Sequence, residues 1–258
     1  MSKVFTTEIT SENIPSDNPI HQRLLKPYVV AQDLIKGDVL EVGCGEGRGI
    51  GLVLPNASSY SAIDKIGPVV ESLRKKFPAG KFHVGNIPPL SPFADATFDI
   101  VLCFQVIEHI ANDHGLLKEI HRVLKPGGIL LMTTPNRSLS LSRNPWHVRE
   151  YTASELSILC HRFFPQVQMK GISGNKKVME YYDRNKKSVQ RLMRWDVLDL
   201  QNRLPAPLLR IPYELMNRLN RNKLKSGADE LVASITHEDY LVSDQADQSL
   251  DLFAICTR

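Results

Sequence analysis

Val39-Leu-Glu-Val-Gly-Cys-Gly-Glu-Gly-Arg-Gly49 decides the fold. Asp38 to Val42 reads as a short strand, and Gly43, Gly45 and Gly47 then alternate with side chains. Glycine lets a backbone turn tightly and approach a ligand without a Cβ in the way. The spacing predicts a helix just beyond, whose first amide groups would favour an anionic group such as a carboxylate. Ser59 to Ile63 reads as a second strand ending at Asp64, where a carboxylate can accept both hydroxyl hydrogens of a ribose. A dinucleotide site shares these features, but its G-x-G-x-x-G pattern fails: the third glycine position falls on Arg48 or Ile50. A dinucleotide site and a purely structural turn are the competing readings.

Outward from this turn, strands and helices alternate. Pro27 to Ile35 has helical spacing and ends at Gly37; Val69 to Phe77 reads as a basic amphipathic helix; Lys81 to Val84 reads as a strand. Phe98 to Phe104 is almost continuously apolar, as expected of a parallel strand buried on both faces. Val106 to Leu124 reads as a helix stopped by Lys125-Pro-Gly-Gly128, followed by a strand from Gly128 to Thr133. Thr152 with Glu155 forms a capping-box pattern for a helix to about Arg162. Pro165 to Lys170 and Leu250 to Cys256 complete the strands. The pattern predicts a doubly wound α/β sheet, mainly parallel, with helices on both faces.

Composition bounds the rest. The 258 residues are 42% hydrophobic and 23% charged, which suits one globular α/β unit with additions. Cys44, Cys103, Cys160 and Cys256 are far apart, so neither a zinc site nor a disulfide framework is suggested, and a reducing compartment fits. Met1 to Asn18 lacks the basic start and apolar stretch of a signal peptide. No apolar run approaches the roughly 20 residues that span a bilayer. The expected location is the cytoplasm. The net charge of +4 is uneven: 176–226 holds 13 Lys/Arg against 5 Asp/Glu, a balance of +8, leaving −4 elsewhere. The expected organisation is an N-terminal helical cap over 1–36, a Rossmann-like core over 37–172, a basic helical insertion or lid over 173–227, and a return with the last strand over 228–258.

Further motifs follow in order: Ala62-Ile-Asp64, Gly85-Asn-Ile87, Phe93-Ala-Asp-Ala-Thr-Phe-Asp-Ile-Val101, Glu108-His-Ile110 and Leu124-Lys-Pro-Gly-Gly-Ile-Leu130. With the glycine turn, they make the sequence resemble the class I S-adenosylmethionine-dependent methyltransferases. It is most similar to the small-molecule branch that includes the ubiquinone-biosynthesis methyltransferases. The likeness runs from Val39 to about Gly171 and takes in the final strand.

The resemblance implies a Rossmann-like, seven-stranded sheet with the last strand antiparallel. It implies S-adenosyl-L-methionine as cofactor and S-adenosyl-L-homocysteine as product. The methionine part would lie over Gly43, Cys44, Gly45 and Gly47, and the ribose on Asp64 beside Lys65. Asn86, in place of the usual Asp, and Ile87 would flank the adenine. Phe104 and Gln105 would line the methyl-donor pocket. Glu41 would orient the glycine loop, or act only as a strand-end acid.

Methyl transfer needs alignment, and a general base only for a hydroxyl or a protonated amine. His109 and His147 are the candidates; each also has a purely structural reading. His147 lies in Asn144-Pro-Trp-His-Val-Arg-Glu-Tyr151, a segment chemically rich for a connector. Some relatives bind a divalent metal through Glu-x-x-Glu-His. Here Gln105 stands for the first Glu, and a neutral amide is a poor ligand for a hard cation, so no metal is expected; the alternative is that Glu108, His109 and His147 meet at one ion.

In the basic insertion, Leu192, Trp195, Leu198, Leu208, Leu209, Leu215 and Leu219 can form stripes that dock on the core, leaving Lys and Arg in water. The other readings are a lid for an anionic acceptor, a membrane-surface helix and, last, nucleic-acid contact, for which no recognised motif is present. The expected function is methylation of a small-molecule, saccharide or lipid-linked acceptor on oxygen. An RNA or protein methyltransferase, or a module that binds the cofactor without turnover, is the alternative. The sequence leaves the oligomeric state open.

Overall fold

The central strand explains the layering. Along Phe98–Phe104, Val101 and Cys103 join one apolar cluster while Ile100, Leu102 and Phe104 join another, and all five are buried. Successive side chains of a strand point to opposite faces, so a strand that is apolar throughout must be covered on both. The computed structural model, which describes residues 15–194, 196, 203–227 and 229–258, shows both covers.

Among the described residues eight strands form one sheet: β1 (Asp38–Val42), β2 (Ser59–Asp64), β3 (Lys81–Val84), β4 (Phe98–Phe104), β5 (Leu124–Pro135), β6 (Gln166–Gly174), β7 (Tyr240–Ser243) and β8 (Asp251–Thr257). Their order is β3-β2-β1-β4-β5-β8-β6-β7. The first five pair in parallel, whereas β8 runs antiparallel between β5 and β6, and β7 is antiparallel to β6. The expected mostly parallel sheet with an antiparallel last strand is present. An eighth strand, β7, is added at the edge.

The helices are α1 (Asn18–Ala31), α2 (Ile50–Val53), α3 (Gly67–Lys76), α4 (Asp113–Val123), α5 (Ala153–His161), α6 (Lys176–Met193), α7 (Ala206–Gly227) and α8 (Asp229–Ser234). Leu116, Leu117 and Ile120 of α4 and Leu156 and Cys160 of α5 cover one face. Tyr28 and Ala31 of α1, Val70 and Leu73 of α3, and Val178 and Tyr181 of α6 cover the other. Burying a Val, Leu or Ile side chain contributes roughly 1.5–3 kcal/mol, so these two clusters dominate the stability.

Four expectations are corrected. The first helix starts at Asn18, not Pro27, and carries Pro27 inside it. The helix expected from Val106 starts only at Asp113. A single turn, Ile107–His109, precedes it, and Asn112 caps it by accepting from the Gly115 N–H at 2.9 Å. The helix after the glycine turn has only four residues, Ile50–Val53, too short to present a ligand-binding N-terminus. Leu208, Leu215 and Leu219 do not dock on the core: they are exposed, because α7 turns a polar side inward. Trp195 and Leu198 lie outside the described residues, as do the side chain of Leu192 and the first 14 positions of the chain.

The strand order reverses between β1 and β4. At such a switch point the loops leaving the carboxyl ends of the strands diverge and open a crevice.

Candidate active site

That crevice is a cavity of about 720 Å³. Loops after β1, β2 and β3 bring Gly43, Gly45, Asp64 and Asn86 to it; loops after β4 and β5 bring Gln105, Glu108, His109 and His147. The sheet order therefore puts the glycine turn and Asp64 toward one end and the histidines toward the other.

All three alternating glycines have positive φ: +77° at Gly43, +48° at Gly45 and +79° at Gly47. At Gly43 an added Cβ would sit 2.4 Å from the Val106 side chain, so conformation and packing both require glycine. The turn is tied to Asp64. One carboxylate oxygen accepts from the Gly45 N–H at 2.9 Å, and the other accepts from the Ile66 N–H at 2.9 Å. Each oxygen has a second lone pair, which leaves the buried carboxylate two acceptor sites for a diol.

Cys44, Lys65, Asn86, Ile87 and Phe104 also line the cavity. Gln105 does so with φ of +56°, a conformation costly for a residue with a side chain and common at ligand sites. Its N–H donates to the Thr133 carbonyl at 2.9 Å, which fixes it at the end of β4.

Gly47 and Glu41 are not on the cavity wall. Gly47 closes the turn, donating to the Cys44 carbonyl at 2.9 Å. Glu41, 1% exposed, accepts from the Tyr28 hydroxyl at 2.6 Å and from the Tyr60 hydroxyl, so it joins α1 to β2 beside the turn. Burial pushes its carboxyl up to about 7 against the opposing pull of the two hydroxyls. In the unfolded chain Glu41 ionises near 4.5. Between those pH values the folded chain keeps a proton that the unfolded chain has lost, so stability falls as pH rises through the window and levels above it. Glu41→Gln removes that slope. Denaturant unfolding at pH 5 and pH 8 is expected to show the gap between the two narrowing by about 2 kcal/mol in the variant. An unaltered gap would contradict the raised carboxyl.

At the other end, Glu108 is fully buried. Its Oε2 accepts from the Thr134 hydroxyl at 3.0 Å, while Oε1 has no hydrogen-bond partner. Burial raises this carboxyl to about 7, and His147 opposes the rise. The Glu108 carbonyl accepts from the Val148 N–H at 2.7 Å and so anchors the loop that carries His147. His147 Nδ1 lies 2.6 Å from Glu150, and its Nε2 lies 2.8 Å from the Asn144 amide. Asn144 donating to Nε2 places the ring proton on Nδ1, facing Glu150. Burial raises the Glu150 carboxyl, but hydrogen bonds from His147 and Ser140 bring it below its usual value. His109 Nδ1 is 2.9 Å from the Trp146 carbonyl, and the two histidine rings stand 4.9 Å apart.

One ligand atom each of Glu108, His109 and His147 lies within 4.8 Å of the others. A cation could sit among them only by displacing Asn144 or Glu150 from His147.

The sequence reading missed several residues here. Arg23 of α1 meets Asp251 of β8 at 3.2 Å beside the cavity, and Asp251 is 1% exposed. Burial raises the Asp251 carboxyl although Arg23 opposes it. A carboxylate inside the apolar run Leu250 to Cys256 was the available signal. Tyr181 and Tyr182 of α6, Tyr213 of α7 and Tyr240 of β7 add an aromatic wall from the segment after β6.

Among the described residues no helix is long and apolar enough to cross a membrane. Residues 40–132 match a methyltransferase domain family. A Mycolicibacterium smegmatis protein named as a probable S-adenosylmethionine-dependent methyltransferase is 42% identical over 127 residues, covering 47% of this chain and 49% of that one. A ubiquinone biosynthesis O-methyltransferase of Xanthomonas oryzae is 30% identical over 116 residues, covering 43% and 48%. The chain thus spans about half the length of the curated relatives it matches. The solved structure of an S-adenosylmethionine-dependent methyltransferase from Thermotoga maritima superposes with a TM-score of 0.58, at 16% identity, over 92% of this chain and 90% of that one. That likeness carries the fold alone.

Proposed function

We propose that this chain, whose Rossmann-like core carries a methyltransferase domain of the S-adenosylmethionine-dependent class, is an enzyme that methylates a hydroxyl of a small-molecule, saccharide or lipid-linked acceptor. The observation that carries the reading is the turn itself: three positive-φ glycines tied to a carboxylate that keeps a lone pair on each oxygen. Those residues fit an amino-acid tail and a ribose. The cofactor supplies the activated methyl group when bound. A cavity of about 720 Å³ lies well within the roughly 300–1,000 Å³ of small-molecule sites and leaves room for an acceptor beside the cofactor.

Gly43, Gly45 and Asp64 bind and orient the donor, with Asn86 and Ile87 beside its base. Phe104 and Gln105 stand between donor and acceptor ends. Residues of α6 and α7 line one side of the cavity and screen the polar contacts there from solvent. His147 takes the acceptor's proton at Nε2 after Asn144 yields, and Glu150 stabilises the resulting imidazolium. These residues would hold the acceptor oxygen in line with the methyl group that the bound cofactor would supply. His109 holds the His147 loop through Trp146.

The test has two stages. Calorimetry should give heat with S-adenosylhomocysteine and none with NADH. Transfer of a radiolabelled methyl group to a fractionated cell extract should then label hydroxyl-bearing small molecules or lipids. Label in RNA or protein would overturn the acceptor class. Cofactor binding with no label in any fraction would reduce the protein to a binding module.

A further inference from the structure

The outer side of α7 is at odds with a helix that only covers a cavity. Leu208, Ile211, Leu215 and Leu219 are spaced three and four residues apart, so they share one side. They are 64%, 79%, 60% and 61% exposed. Tyr213, Glu214, Asn217 and Arg218 line the cavity from another side. Arg210 stacks over the Trp146 ring at 4.0 Å, and Arg218 pairs with Asp17 at 3.5 Å. The helix is therefore held to the core by its polar side and turns its apolar side outward. An ordinary surface helix does the reverse.

We infer that α7 docks this chain on an anionic lipid surface, with the Leu208–Leu219 stripe entering the headgroup boundary. Charge selects this occupant. The segment 176–226 carries 13 Lys/Arg against 5 Asp/Glu. Arg210 and Arg218 of α7 are engaged with the core, but Arg221, Lys223 and Lys225 still add three cations to the sequence of this helix. A second copy of the chain would bring the same positive segment face to face with this one, which opposes pairing. A nucleic acid would answer the charge and leave the leucines in water. An anionic bilayer answers both: acyl chains accept the stripe, and headgroups accept Lys and Arg. A helix of 22 residues is about 33 Å long, ample to lie in the interface plane. Docked this way, α7 would hold the acceptor end of the cavity next to the membrane. The inference does not rest on methyl transfer, because vesicle binding needs neither cofactor nor acceptor.

The experiment is co-sedimentation of the full chain with phosphatidylcholine vesicles, with and without phosphatidylglycerol. Binding is expected only with phosphatidylglycerol, and high salt should weaken it. The double variant Ile211→Asn with Leu215→Asn should need at least about tenfold more lipid. Its melting temperature and its heat with S-adenosylhomocysteine should stay unchanged, because neither residue lines the cavity or packs in the core. No sedimentation with phosphatidylglycerol, equal binding to neutral vesicles, or a variant that binds as well as the parent would each overturn the inference. So would light scattering that shows a dimer which the variant dissociates, since the stripe would then be a subunit interface.

Discussion

Replacing Asp64 with Ala weakens S-adenosylhomocysteine binding by on the order of a hundredfold. Hydrogen bonds to a charged group contribute about 1.5–3 kcal/mol each, and a ribose diol would make two of them here. Each factor of ten in affinity is about 1.4 kcal/mol, so the loss of two such bonds reaches a hundredfold without any change in fold. The second contribution is the tether: Asp64 also accepts from the Gly45 N–H at 2.9 Å, which holds the turn at +48°. Without it the turn must be ordered on binding, at a further entropic cost. Asp64→Asn should fall between parent and Ala, since one amide oxygen still accepts. Calorimetry reads all three affinities, and a thermal melt reads the fold. An Ala variant that binds within about threefold of the parent would remove Asp64 from the ribose site.

Much of this site was legible because its determinants are local in sequence. The glycine turn, Asp64 and the strands around them follow from period and residue type. Both halves of the Thr152–Glu155 capping box form. The apolar residues Val106, Ile107 and Ile110 misled the helix assignment: they pack into the core from around a single turn, while Asn112 sets the true start. The strand Tyr240–Ser243 has four residues at a sheet edge and buries only Tyr240, too little for a pattern. Arg23 and Asp251 lie at opposite ends of the chain, and nothing short of the fold pairs them. The outward stripe on α7 was visible as apolar spacing, but spacing alone does not say which side of a helix meets the core. The answer came from Arg210 on Trp146 and Arg218 on Asp17, contacts that cross between elements.

His147→Gln is expected to lower kcat by about 10²–10³ while leaving the affinity for S-adenosylhomocysteine unchanged, if His147 is the base for the acceptor hydroxyl. Gln is chosen because its amide can still donate to Glu150, which also keeps the Ser140 hydroxyl as a donor. What it cannot do is take a proton. The neighbouring acid is not an equal substitute: Glu108 is fully buried, with one oxygen engaged by Thr134, and its carboxyl is raised by burial for want of solvation. Glu150→Gln should cost less, about tenfold, because His147 keeps its ring but loses the charge that stabilises its protonated form. A thermal melt separates chemistry from structure: loss of a base leaves the melting temperature unchanged, whereas loss of a histidine that only holds its loop would lower it together with kcat.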